Sequence, residues 1–518
     1  MHIGAVCLAL TILVQVPAPD AAARESGSLR AEEIMILAKE TSQLEALRDR
    51  LAKEGDRGGA AEVGRYLPEV APQSGGTKFA TLAEVVPGRR KGLANVGSAG
   101  VGVGWRNELA KIRGESSRLF FMLAEKAGGG SLTQKHFALA DRCLRGVLAR
   151  EPDQTEARRL VGYMAYEGGW ARPYAVKQMR AGKVLDGKYG WVPLEWLAHL
   201  ERGELPATKG GGQAGKRWVG AEEADGERRE WSKGWEIRTE HFFIKTNVPF
   251  SEAIAFGRHL EAFHDLFFSI LADVVGEKLP LARRFKDKGA VGEIAGEPHL
   301  VYYFRSRDEY VERVRALQGD SAEESLGLYI PPEPGRVRRA PAYFFRDKGG
   351  ELDVTATLYH EVSHQLLFES GGAGVGDFRK NAGNFWVFEG MGTYFESVTT
   401  KAEGMIEVGG RAGRRFEAAA ENLLAKRKMV RLADFVKLDQ KEFNREEDVY
   451  LHYQQAVALT TLLMDGDGRG YREDFLDYFR DAFQGRLKRT TGKGLNDRVG
   501  MSFETMEGAL REYLGTGR

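Results

Sequence analysis

Two cysteines in 518 residues are too few for a disulfide framework. Cys7 lies in an apolar run at the amino terminus and leaves with it on cleavage, so Cys143 becomes the single thiol and no intrachain disulfide forms. A chain this long manages without disulfides because its cores are large. Apolar stretches of membrane-spanning length are missing as well: residues 3–16 (IGAVCLALTILVQV) fall short of the ~17–25 residues that a spanning helix needs. Charge of one sign is not in excess. Lys plus Arg number 75 against 74 for Asp plus Glu, a net charge of +1, which excludes a global field drawing the chain to nucleic acid or acidic lipid. The glycines of residues 97–105 lack a following Gly-Lys-Ser/Thr and the GxGxxG spacing, so they read as a flexible linker and not a phosphate loop. With 42% hydrophobic and 29% charged residues, the composition excludes wholesale disorder.

What is present divides into parts, as the length leads one to expect of two or three domains. The apolar run is followed by PAPDAAARES, where Ala21, Ala22 and Ala23 form a small-residue cleavage site. Residues 1–23 therefore read as a signal peptide without the usual positive n-region, which predicts a secreted, periplasmic or cell-envelope protein with no stable membrane anchor after cleavage. Residues 24–104 form a partly helical, low-order segment: 29–54 have helical character, while 58–104 are broken by Gly, Pro and Ser. Residues 105–207 read as a helical region, with two amphipathic segments around the turn Glu151-Pro152-Asp153. This pair resembles one helix-turn-helix unit of the tetratricopeptide kind. One such unit does not bury its own apolar face, so it is expected to pack on neighbours and to offer a surface to a protein partner. Residues 208–234 are glycine-rich, charged and aperiodic, and read as a linker.

The last part, 235–518, begins with an alternating strand at 235–247, a helical stripe at 251–275 and a buried strand at 299–306. A helix at 308–317 and two further strands, GLYIP and APAYFFRD, follow; most of what lies beyond Glu351 reads helical. The fold class is α+β, a mixed sheet followed by a helical subdomain.

Within LDVTATLYHEVSHQLLFE, His360, Glu361 and His364 spell HExxH at helical spacing. Positions i and i+4 share a helix face about one turn apart, so two imidazole nitrogens can meet one zinc ion at ~2.0–2.1 Å. Glu361, rotated by about 100°, stays out of the ligand set yet reaches a metal-bound water, the place of a general base. At this composition the motif arises by accident in roughly one chain in seventy, so a third ligand is required. Glu389 in NFWVFEGMGTYFES supplies it from a second helix-like segment, leaving a fourth position open as a catalytic zinc needs.

HEVSH followed by WVFEGMGTYFE resembles the gluzincin metallopeptidases, the superfamily of thermolysin and the zinc aminopeptidases. Residues 235 to about 514 resemble, more closely, secreted bacterial HExxH proteins labelled only as a domain of unknown function. The resemblance implies zinc on His360, His364 and Glu389, Glu361 as base, and hydrolysis of a peptide bond in a peptide or protein substrate. It also implies an edge strand that pairs with an extended substrate, for which residues 340–347 are the candidate. No counterpart of the aminopeptidase Gly-x-Met-x-Asn strand precedes His360, so specificity for a free amino terminus is unsupported.

Glu396, two turns after Glu389, is placed to accept from the non-ligating nitrogen of a zinc histidine, or else is a solvated carboxylate. In residues 446–463, which resemble a Tyr-containing helix downstream in the same family, Tyr453 is the first candidate to stabilise an oxyanion, with Tyr450 and His452 as competitors and packing as the alternative for all three. The remaining histidines, His136, His199, His241, His259, His264 and His299, show no spacing for a second metal. Residues 371–384 form a glycine-rich loop that lines the cleft or merely connects. Two other classes stay open: a non-catalytic interaction protein carrying a peptidase-like domain, and a zinc hydrolase of a non-peptide amide or ester.

Overall fold

Apolar stripes on long helices organise the amino-terminal region. The computed structural model of the chain describes residues 21–67, 76–88, 103–130, 135–208, 217–289, 291, 296–332, 339–349, 354–371, 383–400, 404–411, 413–426, 428–487 and 494–515. The expected signal run, residues 3–16, and most of the glycine-rich loop 371–384 lie outside the described residues. Helix α1 (Ala21–Lys53) packs on α2 (Val103–Gly129) through Leu44, Leu47, Trp105, Leu109 and Ile112. Helices α3 (Phe137–Arg150) and α4 (Thr155–Val161) join α1 and α2 around Leu29, Phe120, Leu144, Val147 and Leu160. No described helix is long and apolar enough to cross a membrane.

Three sequence expectations for this region need correcting. The stretch 58–104 is not uniformly loose: Arg57–Gly64 is a helix capped by the Asp56 carboxylate, which accepts from Gly59 N at 2.7 Å. Strands β1 (Thr77–Ala80) and β2 (Val85–Val86) follow it. Second, the first run of helices ends at Gly162, whose φ of 103° suits only glycine, and the rest of the region to 207 alternates short strands with helix at Pro173–Arg180 and Leu197–Glu201. Strands β3 (Met164–Tyr166) and β4 (Gly169–Ala171) form a hairpin around Glu167 and Gly168, at φ 48° and 78°, and β2 pairs with β4. That two-residue turn breaks the helical reading of the segment. A second hairpin, β5 (Lys183–Asp186) with β6 (Gly190–Pro193), follows. Third, the linker is partly folded, because β7 (Glu204–Pro206) pairs with β8 (Trp218–Gly220) and Ala221–Glu227 is helical.

The carboxy-terminal part is built on a five-stranded mixed sheet. The stretch expected as one strand at 235–247 is a hairpin, β9 (Trp235–Arg238) and β10 (Phe242–Thr246). Helix α5 (Phe250–Ile270) leads to β11 (His299–Phe304), and α6 (Arg307–Gln318) leads to β12 (Leu328–Tyr329) and β13 (Ala342–Phe345). Strand order is β12-β13-β11-β10-β9; β10, β11 and β13 run parallel, and the two outer strands antiparallel to them. All four residues of β13 are buried: Ala342 and Phe344 enter the main core, Tyr343 and Phe345 the smaller core under α6. The expectation that 340–347 is the edge strand is therefore wrong. A strand buried on both faces sits inside a sheet, and the edge belongs to Leu328 and Tyr329, opposite Tyr343 and Ala342.

Helices cover the sheet and continue beyond it. Helix α7 (Val354–Gly371) lies against the main core, and the Gln365 amide ties it to the sheet by donating to Leu300 O at 2.9 Å and Ala340 O at 3.0 Å. Helix α8 (Phe385–Phe395), buried at every residue, packs between α7 and α10 (Val449–Asp465), with α9 (Arg414–Ala419) beside α10. Helices α11 (Arg472–Phe483) and α12 (Phe503–Gly515) close the bundle. Strand β14 (Thr399–Thr400) after α8 pairs with β15 (Met405–Val408), and β15 pairs on its other edge with β1 from the amino-terminal region.

Candidate metal centre

HExxH falls in the middle of α7, where burial on nearly all sides fixes both histidine side chains. His360 Nε2 and His364 Nε2 lie 3.0 Å apart. Glu389 Oε2 reaches in from α8, 3.3 Å from His360 Nε2 and 3.7 Å from His364 Nε2. Tetrahedral ligands ~2.05 Å from one ion lie about 3.3 Å apart, and the three separations here, 3.0, 3.3 and 3.7 Å, bracket that spacing. Glu389 Oε2 is buried and makes no regular hydrogen bond, so the imidazole nitrogens at 3.3 and 3.7 Å are what stabilise its charge, and a cation at the centre of the triangle would bind all three atoms directly. Among the described residues this is the one group of three or more His, Cys, Asp or Glu able to hold a metal.

The close approach of α8 depends on the glycines beside Glu389. A Cβ on Gly392 would stand 2.9 Å from His360 Cε1 and 3.0 Å from both His360 Nε2 and His364 Cε1. One on Gly390 would stand 2.3 Å from Thr460 Oγ1 on α10. One helix face thus meets the imidazoles and another meets α10 with nothing but hydrogen between. Phe388 stacks on the His364 ring with centroids 3.9 Å apart and planes at 14°, holding that ring in place.

Glu396 is not the solvated carboxylate of the second reading: its side chain is largely buried and meets His360. His360 Nδ1 lies 2.9 Å from Glu396 Oε1; a proton donated there leaves the Nε2 lone pair for a metal. Behind it stands a residue that sequence reasoning missed: Arg415 on α9, whose Nε donates to Glu396 Oε2 at 2.6 Å and whose guanidinium lies 5.2 Å from the Tyr453 ring centre. No spacing rule links an arginine on α9 to HExxH. The pairing is created by tertiary packing alone.

Glu361 is held by the edge strand, another feature absent from the motif: Tyr329 N donates to Glu361 Oε2 at 2.9 Å. Burial, together with the nearby Glu389 carboxylate and against the pull of His360, pushes Glu361 up to about 7. Burial works against a charge on His360, yet Glu389 and Glu396 outweigh it and raise that imidazole to about 10 in the metal-free chain. Glu389 goes the other way. Its desolvation is overcome by the two histidines, which hold it well below the usual carboxylate range. Glu389 and Glu396 thus share the field of the Arg415 guanidinium, and Glu361 lies close enough to both carboxylates to be raised by them.

The three oxyanion candidates separate cleanly. Tyr453 is at the site: its ring lies 6.4 Å from that of His360, and burial followed by the Glu389 carboxylate lifts its phenol well above the ordinary value. Tyr450 is 77% exposed, and His452 is buried with Nδ1 2.7 Å from Phe443 O, a packing role. Away from the centre, His241 stacks on His264 at 3.7 Å, and His299 pairs with Glu369 at 2.5 Å. The sequence held no sign of that gathering; it joins α5, β11 and the end of α7 through Arg339, which donates to Glu369 Oε2 at 2.6 Å.

Residues 354–485, from the start of α7 to just past α11, match a family described as Protein of unknown function (DUF1570). The match covers about a quarter of the chain and spans every side chain placed at the centre above. No curated protein and no solved structure matches the chain.

Proposed function

We propose that this chain is a zinc-dependent metallopeptidase of the gluzincin kind, exported from the cell and acting on peptides or proteins. The observation that carries the reading is the triangle of His360 Nε2, His364 Nε2 and Glu389 Oε2, at 3.0, 3.3 and 3.7 Å, with Glu361 beside it and outside it. Three protein ligands, not four, are the mark of a catalytic zinc and not a structural one. A zinc ion held there supplies Lewis acidity, lowering the pKa of a water toward ~7 and polarising a carbonyl.

The chain's own groups do the rest. Glu361 takes the proton of the attacking water and passes it to the leaving nitrogen; the Tyr329 N–H fixes one of its oxygens and leaves the other for the water. Tyr453 keeps its phenolic proton at neutral pH and donates to the oxyanion that develops at the scissile carbon. Glu396, backed by Arg415, holds the His360 ring in the tautomer that ligates. Strand β12 ends the sheet beside Glu361, and sheet edges of this kind take up extended peptides by main-chain pairing.

Elemental analysis of the purified protein, with His360→Ala and Glu361→Gln alongside, tests the reading. We expect about one zinc per chain in the wild type and in Glu361→Gln, none in His360→Ala, and cleavage of a broad peptide library by the wild type alone. Zinc binding with hydrolysis of esters or non-peptide amides, and not of peptides, would move the activity to another substrate class. A wild type that takes up no zinc on reconstitution would end the enzyme reading.

A further inference from the structure

Strand β1 comes from the amino-terminal region but belongs to the core of the other one. Among the described residues, Phe79 is the one member of the main core cluster that precedes Tyr189. It is held from three sides. Its strand pairs residue for residue with β15, from Thr77 opposite Val408 to Ala80 opposite Met405, and Thr81 adds two bonds from its N and Oγ1 to Gly404 O at 3.0 and 2.9 Å. Arg472 on α11 donates to Thr77 Oγ1 at 2.8 Å. Arg145 on α3 lies 4.3 Å from the Phe79 ring centre and donates to Ala80 O at 3.0 Å.

The strand that β1 secures leads straight to the metal centre by two routes. Along the chain, β15 passes through Gly409 and Gly410 into α9, which carries Arg415. Across space, Gly409 N donates to Ser397 Oγ at 2.6 Å, and Ser397 directly follows Glu396. A Cβ on Gly409 would stand 2.3 Å from Tyr394 Oη, so this crossing is tight and gives little room for β15 to move without moving the end of α8. Without β1, β15 has only the two residues of β14 as a partner, and a two-stranded ribbon of that size is marginal by itself.

We infer that β1 is a brace for the metal centre: by completing the β1-β15-β14 sheet it holds Arg415 and Glu396 against His360, so that the amino-terminal region sets the metal affinity of a site it does not touch. Phe79 is on this account a positioning residue acting through Glu396. The inference rests on the metallopeptidase reading only in that the ion is zinc.

The test is a double-mutant cycle in the full chain, read as zinc affinity by competition with a chromogenic chelator. Outer-shell partners of a ligating histidine are worth roughly 10–100-fold in metal affinity. Phe79→Ala should weaken zinc binding by about 10-fold in the wild-type background and by less than about 2-fold when Glu396→Gln is already present. Thr81→Val, which removes one bond to Gly404, serves as the milder variant should Phe79→Ala not fold. Equal losses in both backgrounds, or wild-type affinity in a folded Phe79→Ala, overturn the brace. Hydrogen exchange of the metal-free chain gives an independent reading. Residues 405–408 and 413–419 should exchange faster in Phe79→Ala, while α5 and β11 keep their protection. If the wild type binds no zinc, the proposed function falls and exchange alone decides: unchanged protection of those two segments then overturns the brace as well.

Discussion

Gly392→Ala sets two tendencies against each other, and the geometry says which prevails. In the interior of a helix, replacing glycine by alanine ordinarily stabilises by roughly 0.5–1 kcal/mol, because the backbone loses less freedom on folding. Here the new methyl would stand 2.9 Å from His360 Cε1 and 3.0 Å from His364 Cε1, where carbon atoms normally rest ~3.5–4.0 Å apart. Relieving both contacts requires the rings and α8 to separate by about 0.5–1 Å, at an overpacking cost of roughly 1–3 kcal/mol. The net change in the stability of the metal-free protein is therefore small, a loss of about 0–2 kcal/mol. The effect on the metal is larger, because ligand distances tolerate only ~0.2 Å and the same displacement moves Glu389 away from both imidazoles. We expect zinc affinity to fall by about 100-fold or more, at or beyond the upper end of what losing an outer-shell partner costs. Chelator competition gives the affinity, and thermal melts with and without zinc separate it from folding: the wild type should gain stability on zinc addition, and Gly392→Ala should gain little. Wild-type zinc affinity in a folded Gly392→Ala protein would refute the placement of α8 against the two histidines.

Other outcomes follow from the same geometry. Glu396→Gln and Arg415→Ala should each lower zinc affinity by about 10–100-fold, and the double variant should cost little more than either, as measured by competition titration. Gly390→Ala should destabilise by roughly 1–3 kcal/mol in urea unfolding, with part of the loss recovered by Thr460→Ala, since Thr460 Oγ1 is the nearest atom the new methyl meets at 2.3 Å. Tyr453→Phe should keep the metal and its affinity yet lose turnover by about 10²–10³-fold, the usual value of one oxyanion donor. Because His360 is raised to about 10 in the metal-free chain, it is protonated at pH 7 and must lose that proton to ligate. Zinc uptake should then release about one proton and tighten as pH rises from 7 toward 10; calorimetry in buffers of different ionisation enthalpy reads this directly.

How legible the site was in the sequence depended on how local each relation is. His360 and His364 share a face because of helix periodicity, which a sequence displays, and Glu389 could be chosen because its segment is itself helical. Glu396 followed from the same periodicity, two turns on. Arg415 and the Tyr329 N–H did not, since each meets its carboxylate only after separate elements have packed. The sheet shows the same division. The strands around 299–306, 327–331 and 340–347 were visible as apolar runs, but their lateral order was not, and the edge was assigned to β13 although β12 occupies it. The hairpin at 164–171 was missed, while helix at 173–180 and 197–201 was not, because a turn made by Glu167 and Gly168 at positive φ leaves no mark in an amphipathic pattern.

The pairing of β1 with β15 also bears on how the chain is made. Ala80 leaves the ribosome roughly 300 residues before its partner Met405 exists, an interval of about 15–60 s at ~5–20 residues per second. During that time a strand carrying Phe79 has no edge to join, and the sheet of the second region cannot close. The β1-β15-β14 sheet therefore closes only after residues 405–408 have been made. That closure is a contact of very long sequence separation, which is slow to form.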